Sequence, residues 1–209
     1  MIRHRLSTIT LAVALGLGAH TARGQKLATA GPIANLPAPV ALDTTGMFQA
    51  KFVRVGDDIF IGGQPTERAL RELKAQGVTV VVNLRTPPEM QSAVKFDEPA
   101  VIKALGMRYV YIPMRGTAEF PYSPEAVTKL AEAVRSANGK VLLHCTIAWR
   151  ASHLWAAYLI KERGVPVETA LANARAINLM DTMRMGASGR QPVEDFLNES
   201  LPALGHPPK

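Results

Sequence analysis

The sequence predicts an α/β fold in which a mostly parallel central sheet is flanked by helices. Short apolar runs of strand length alternate along the chain with longer segments whose apolar residues recur at helical spacing. The run from Val78 to Leu84 is rich in β-branched residues, as expected of a strand that is buried on both faces. Capping residues and glycines stand between the segments and mark their ends.

The elements follow one another in a regular order. Strands are expected at 59–61, 78–84, 108–113 and 140–144. Helices are expected after Thr66 and over 97–105, 124–137, 150–163, 168–177 and 193–201. Serine and threonine cap helix N-termini, and glycine adopts the left-handed conformation that often ends a helix. Such residues stand at these boundaries: Thr66, Gly77, Gly106, Ser123, Gly139 and Gly164.

Residues 1–24 have the order of a secretory signal peptide. A short basic start precedes a nearly all-apolar stretch from Leu6 to Ala19, and Ala22 and Gly24 are the small residues expected before a cleavage site. The apolar stretch is shorter than the ~20 residues that span a bilayer. We therefore expect an exported, periplasmic protein with no stable membrane insertion after cleavage, and the alternative is an uncleaved N-terminal anchor.

The remaining chain is expected to form one domain. Residues 25–47 are rich in Ala, Pro, Thr and Gly and predict a flexible lead-in, residues 48–201 the domain, and residues 202–209 a loose tail. Cleavage removes three arginines and no acidic residue, so the net charge falls from +7 to +4. This mild positive charge favours anionic ligands, and the absence of a basic run interleaved with aromatic residues argues against nucleic acid as a partner.

The single cysteine lies where a site is expected in such a fold. Cys145 follows the strand at 140–144, and Arg150 comes after four intervening residues. If Arg150 lies in the first turn of a helix, the backbone N–H groups of 146–150 converge and offer unpaired donors and a positive partial charge. That cradle would stabilise a Cys145 thiolate and hold an oxyanion that Arg150 grips through two oxygens. A nucleophile in an anion cradle predicts phosphoryl or sulfuryl-type transfer, whereas the alternative is a buried, inert cysteine.

Three stretches resemble one family. His144-Cys145-(four residues)-Arg150 is similar to the phosphate-binding loop of cysteine-dependent tyrosine and dual-specificity phosphatases. Ile59–Thr66 (IFIGGQPT) and Gly77–Arg85 (GVTVVVNLR) resemble the first strand–turn–helix and the "GIxxVINLR" strand of a bacterial branch, the beta-lactamase-hydrolase-like protein phosphatases. The resemblance implies a tyrosine-phosphatase-like fold, a phosphocysteine intermediate and no cofactor. It also implies a phosphorylated protein or a small phosphoester as the substrate.

Two features depart from the family pattern. The main phosphatase families have five residues between cysteine and arginine, whereas this chain has four, which is the spacing of rhodanese sulfurtransferases. The loop also lacks glycine, which often lets the backbone approach an anion. A sulfurtransferase and a non-catalytic phosphate-binding domain therefore stay open beside the phosphatase. The anion-binding loop is predicted to comprise Thr146, Ile147, Ala148, Trp149 and Arg150, and Trp149 either lines the mouth of the site or packs in the core.

The resemblance also implies a general acid on the loop after the strand at 108–113. The family has an aspartate there, but this chain has none between Asp97 and Asp181. Glu119 on that loop is therefore the candidate acid, and Asp181 is the second candidate. A solvated loop carboxylate is the alternative interpretation of Glu119.

Further residues are predicted to support the loop. The family places a serine or threonine after the arginine to steady the thiolate, whereas this chain has an alanine there, so Thr146 or Ser152 is expected to substitute. His144 points to the opposite face of the strand from Cys145 and is expected to steady the loop as a hydrogen-bonding group. Arg85 is expected to support the site. The three histidines that remain after cleavage are too few for a histidine metal site.

Overall fold

The computed structural model of the protein describes residues 36–180 and 190–202. The predicted signal peptide, Asp181 and most of the predicted tail lie outside these residues. The described strands are β1 (Pro39–Ala41), β2 (Phe52–Val55), β3 (Ile59–Gly62), β4 (Val78–Asn83), β5 (Arg108–Tyr111) and β6 (Lys140–His144). The described helices are α1 (Glu67–Ala75), α2 (Pro87–Ala93), α3 (Glu98–Ala104), α4 (Pro124–Arg135), α5 (Trp149–Arg163), α6 (Val167–Ile177) and α7 (Gln191–Leu197).

The six strands form one sheet in the order β1-β2-β3-β6-β4-β5. β3, β6, β4 and β5 run parallel to one another, and β1 and β2 add an antiparallel edge. The predicted mostly parallel sheet is therefore confirmed. Because β6 lies between β3 and β4, the segment after β6 leaves the sheet between the ends of two neighbours, where sites form in sheets of this kind.

Helices cover both faces of the sheet. The larger apolar cluster contains residues of α4, α5, α6 and α7, such as Leu130, Leu154 and Phe196, all at most 1% exposed. The smaller cluster on the other face joins α1 and α3 to Phe52 and Phe60. α5 is buried along most of its length, as expected of a helix enclosed by other helices. No described helix is both long enough and apolar enough to cross a bilayer.

The sheet begins before the predicted domain boundary at residue 48. β1 lies within the segment 25–47 that the sequence predicts to be a flexible lead-in, and it pairs with β2 in register from Pro39↔Val55 to Ala41↔Val53. The side-chain amide of Asn173 also donates to the carbonyl oxygen of Pro37 at 2.9 Å. Both contacts are made to backbone groups of this short segment. The apolar side chains of the segment therefore show no strand or helix spacing from which the contacts could be predicted.

Candidate active site

The anion-binding loop joins β6 to α5. Ala148 is the N-cap residue of α5 and has φ +67° and ψ 0°, which is the left-handed conformation. A left-handed residue other than glycine costs roughly 1–2 kcal/mol, so the surrounding contacts hold the loop in this shape. The absence of glycine therefore does not prevent the tight turn, because an alanine that is fully buried takes the strained position.

Hydrogen bonds fix the direction of the loop's peptide groups. The carbonyl oxygen of Thr146 accepts from the backbone N–H of Gln64 at 2.9 Å, and that of Ile147 accepts from the side-chain amide of Asn178 at 2.7 Å. In a trans peptide the N–H points away from the C=O, so the next two N–H groups point away from these partners. The N–H groups of 146–150 donate to no other residue of the described chain. The loop therefore holds unpaired donors, as an anion site requires.

Cys145 lines a cavity of about 330 Å³. The thiol is free and only 1% of the residue is exposed. Residues of the loop, of α2 and of the segments before α4 surround it. The lining consists of Glu89, Arg115, Tyr122, Cys145, Thr146, Ile147, Trp149 and Arg150. The predicted nucleophile, arginine and three of the loop residues are thus brought together, and Trp149 lines the cavity.

The guanidinium of Arg150 is held on one side by the protein. Its Nη1 donates to the carbonyl oxygens of Leu84 at 3.2 Å and Met114 at 2.7 Å. Nη1 and Nη2 donate to the two carboxylate oxygens of Glu89 at 2.9 and 2.8 Å, and Nη2 also donates to the hydroxyl of Thr146. Nε has no partner among residues 36–180 and 190–202. Burial lowers the pKa of Arg150, but the hydrogen bonds that it donates to Glu89 and the nearby negative charge outweigh burial and raise that pKa, so the arginine stays cationic.

Glu89 is a site residue that the sequence interpretation missed. It lies in the first turn of α2, where its carboxylate also accepts from the N–H and the hydroxyl of Thr86, both at 2.9 Å. Burial raises the pKa of Glu89, but the hydrogen bonds from Arg150 and Thr86 prevail and lower it to about 2. Thr86-Pro-Pro-Glu89 matches the capping-box pattern, which was the available signal.

The structure does not bring Glu119 to the cavity. The N–H groups of Arg115, Gly116 and Thr117 all converge on the carbonyl oxygen of Phe120 and fold this loop into a tight turn. Glu119 is exposed on that turn and does not line the cavity. The assignment of Glu119 as the general acid is therefore not supported by the geometry. Asp181, the second candidate, lies outside the described residues.

Neither predicted hydroxyl forms a hydrogen bond with the thiol. The hydroxyl of Thr146 donates to Glu89 at 3.3 Å, and the hydroxyl of Ser152 donates to the carbonyl oxygen of Trp149 at 2.7 Å. Within the described chain, no side chain donates a hydrogen bond to the sulfur of Cys145. Stabilisation of a thiolate therefore depends on the loop N–H groups and on the charge of Arg150.

His144 and Arg85 lie behind the loop. His144 is fully buried, and its Nε2 is 3.3 Å from Oε1 of Glu98. Arg85 donates from Nη1 to the side-chain oxygen of Gln64 at 2.8 Å and from Nη2 to the carbonyl oxygen of Glu89 at 3.1 Å. Burial lowers the pKa of Arg85. Both side chains contact residues that support the site and do not line the cavity.

The comparison with protein families identifies the family of the chain. A family model described as "DSP-PTPase phosphatase fused to NAD+ Kinase" matches residues 34–189, about three quarters of the chain. The chain belongs to this family of phosphatases. The resemblance to cysteine-dependent tyrosine and dual-specificity phosphatases is thereby confirmed, and the matched region contains Glu89, Cys145 and Arg150.

Solved structures of phosphatases share the fold. PTPMT1 is 19% identical, with a TM-score of 0.56 over 70% of this chain and 94% of its own. A DUF442 protein from Shewanella putrefaciens CN-32 is 21% identical, with a TM-score of 0.54 over 72% of this chain and 90% of its own. Tk-PTP in its active form is 22% identical, with a TM-score of 0.51 over 68% of this chain and 92% of its own. Comparison with curated proteins found no significant sequence relative.

Proposed function

We propose that the protein is an exported phosphatase that hydrolyses phosphate monoesters through a phosphocysteine intermediate at Cys145. The observation that carries this proposal is that Cys145 lines one cavity together with the loop that holds unpaired N–H donors and with Arg150. A phosphoryl group carries charge on three peripheral oxygens during transfer, and N–H donors with a fixed cation stabilise that charge. Membership of the phosphatase family supports the same chemistry.

The reaction takes two steps. The Cys145 thiolate attacks phosphorus, the bond to the ester oxygen breaks, and that oxygen leaves with the bonding electrons and takes up a proton. Water then attacks the phosphocysteine, the P–S bond breaks and inorganic phosphate leaves, so the thiolate is regenerated. Arg150 and the N–H groups of the loop hold the peripheral oxygens in both steps.

The charge state of the cavity favours substrates with good leaving groups. Glu89 is the only carboxylate among the described residues that line the cavity, and its low pKa and its bonds to Arg150 keep it ionised near neutral pH. It therefore has no proton to give to the leaving oxygen. Aryl phosphates, including phosphotyrosine, need less proton transfer than alkyl phosphates because a phenol is the stronger acid. We therefore propose aryl phosphate esters as the preferred substrates.

The direct test is hydrolysis of p-nitrophenyl phosphate by the chain from Gln25 onward. We expect turnover by the wild type and none by Cys145→Ser, which keeps the side-chain volume but loses the thiolate. Arg150→Lys should lose most of the activity because lysine cannot make the two-pronged contact, whereas Arg135→Lys, on the exposed face of α4, should match the wild type. A wild type that shows no turnover with this activated ester would overturn the proposed reaction.

The same site offers a second candidate function, which is binding of a phosphorylated ligand without turnover. The pairing of Arg150 with Glu89 and the lack of a protonated carboxyl group among the described cavity residues favour it. Binding of inorganic phosphate by calorimetry, with no hydrolysis of p-nitrophenyl phosphate, would select this function. Formation of thiocyanate from thiosulfate and cyanide would instead select the sulfurtransferase that the four-residue spacing leaves open.

Export is the remaining part of the proposal. The order of basic, apolar and small residues in 1–24 supports it. Expression of the full chain in a bacterium with a periplasm, followed by N-terminal sequencing, should give a periplasmic protein that begins at Gln25. A protein that keeps Met1 and stays in the cytoplasmic fraction would contradict it.

A further inference from the structure

A fully buried carboxylate lies behind the anion-binding loop. Glu98 is at the first position of α3 and has no exposed surface. Its Oε1 accepts from the side-chain amide of Asn83 at 2.7 Å and lies 3.3 Å from Nε2 of His144, and its Oε2 accepts from the side-chain amide of Gln64 at 2.5 Å. Side chains from three different segments therefore meet on one carboxylate.

This carboxylate is charged. Burial raises the pKa of Glu98, but the nearby imidazole of His144 and the hydrogen bonds from Gln64 and Asn83 outweigh burial and hold that pKa below its usual range. A buried charge costs several kcal/mol unless it is paired and hydrogen-bonded, so all three donors are needed to keep it ionised. Replacement of Glu98 would therefore alter the contacts of all three side chains at once.

Each donor belongs to a segment that borders the loop. His144 is the residue before Cys145, and Asn83 is paired with His144 in the neighbouring strand. The backbone N–H of Gln64 holds the carbonyl oxygen of Thr146 at 2.9 Å, and its side-chain oxygen accepts from Arg85. The ends of β4 and β6 and the turn after β3 are thus tied to a single group on the side of the loop away from the cavity.

We infer that Glu98 is a positioning residue that sets the conformation of the anion-binding loop through His144 and Gln64. The contact with His144 fixes the end of β6 from which the nucleophile projects, and the contact with Gln64 fixes the turn that orients the Thr146–Ile147 peptide. The donors of the loop then face the anion before it binds. The inference rests on the proposed function, because it takes phosphate as the ligand of the loop.

The variant Glu98→Gln tests it with almost no change in shape. The amide keeps one acceptor but brings an N–H₂ group against donors that already fill the site, so the three contacts cannot all persist. We expect the affinity for inorganic phosphate and the value of kcat/KM for p-nitrophenyl phosphate to fall by about tenfold or more, as coupled networks of this kind allow. The control is Ile102→Val, a buried substitution on the same helix that lowers stability without touching the network.

A second variant covers the case in which Glu98→Gln does not fold. Gln64→Ala removes the links to Glu98 and Arg85 but keeps the backbone N–H that holds Thr146. It should weaken phosphate binding in the same direction and by a smaller factor. The rate of alkylation by iodoacetamide adds a readout that needs no turnover, because Cys145 is the only cysteine in the chain. Both variants should change this rate, and Ile102→Val should not.

The outcomes separate this inference from the proposed reaction. A wild type that binds phosphate but hydrolyses no aryl ester would end the phosphatase proposal and leave Glu98 to be judged on binding and alkylation. Wild-type values of phosphate affinity, kcat/KM and alkylation rate in folded Glu98→Gln and Gln64→Ala would overturn the inference alone. A wild type that binds no phosphate would overturn both, because the loop would then not be an anion site.

Discussion

At the scale of single residues, the charge of the site depends on the pair formed by Glu89 and Arg150. Their two parallel contacts at 2.8 and 2.9 Å leave the Nε edge of Arg150 without a described partner. A carboxylate in this position neutralises the guanidinium when the site is empty and fixes its orientation when an anion binds. Arg115 adds a second, mostly exposed cation 3.4 Å from Glu89.

The same pair predicts how stability changes with acid. The pKa of Glu89 falls from an ordinary 4.5 to about 2 in the folded protein. A carboxyl group with a lowered folded pKa stabilises the fold above its unfolded pKa, and this contribution is lost as pH falls through the folded value. Between pH 4.5 and 2, Tm should therefore fall less in Glu89→Gln than in the wild type.

The measurement is thermal unfolding over that pH range. Glu72→Gln serves as the control because Glu72 pairs with Arg68 on an exposed face of α1 and its loss should leave the acid limb of the curve unchanged. An equal fall of Tm between pH 4.5 and 2 in the wild type and in Glu89→Gln would contradict the prediction.

Residue types alone predicted part of the site. Cys145 and Arg150 were predicted from their spacing at a strand–helix junction, and the structure places both at the cavity. Glu119 was chosen because it was the only carboxylate on its loop, but in the folded loop its side chain is exposed and does not line the cavity, although Arg115 does. The left-handed Ala148 could not be predicted because alanine rarely adopts that conformation.

At the scale of elements, the strands and helices whose apolar residues recur at a regular spacing could be predicted from the sequence, and the short elements at the edge of the fold could not. β4, β6, α4, α5 and α6 carry apolar residues at strand or helix spacing, and the structure confirms each. α2 buries none of its residues, so it has no apolar stripe, and it brings Glu89 to the site. β1 is held by backbone pairing, which leaves no pattern in the side chains.

The contact between α6 and the loop gives a prediction at this scale. Asn178 is the C-cap residue of α6, and its side-chain amide holds the carbonyl oxygen of Ile147 at 2.7 Å. Without it, the Ile147–Ala148 peptide can rotate and its N–H can leave the anion. Asn178→Ala should raise the Kd for inorganic phosphate about fivefold, which corresponds to one net hydrogen bond of about 1 kcal/mol.

Calorimetric titration with phosphate measures this effect. Asn138→Ala is the matched control because Asn138 is exposed in the turn before β6, whereas the loop follows the opposite end of that strand. Equal phosphate affinity in Asn178→Ala and Asn138→Ala would show that α6 does not orient the loop.

At the scale of the whole molecule, three parts of the chain meet at Gly63. Its N–H donates to the carbonyl oxygen of Lys51, and it forms an isolated bridge with Ile147 of the loop. A β-carbon at this position would overlap the carbonyl oxygen of Gln49 and come within 2.7 Å of that of Thr146. The segment before β2, the end of β3 and the anion-binding loop therefore pack without room for a side chain.

Gly63→Ala tests whether this junction links the fold to the site. Both atoms that the methyl group meets are backbone oxygens, which cannot rotate away, so the segment before β2 and the loop must separate. We expect a loss of stability of about 3 kcal/mol, in the range for overpacking, and a loss of phosphate binding.

Gly164→Ala is the control, because its β-carbon would meet open space and only the left-handed φ of +61° is penalised, by about 1 kcal/mol. Thermal unfolding and phosphate titration of both variants measure the two effects separately. If Gly63→Ala behaves like Gly164→Ala in both measurements, the close packing at Gly63 does not hold the loop.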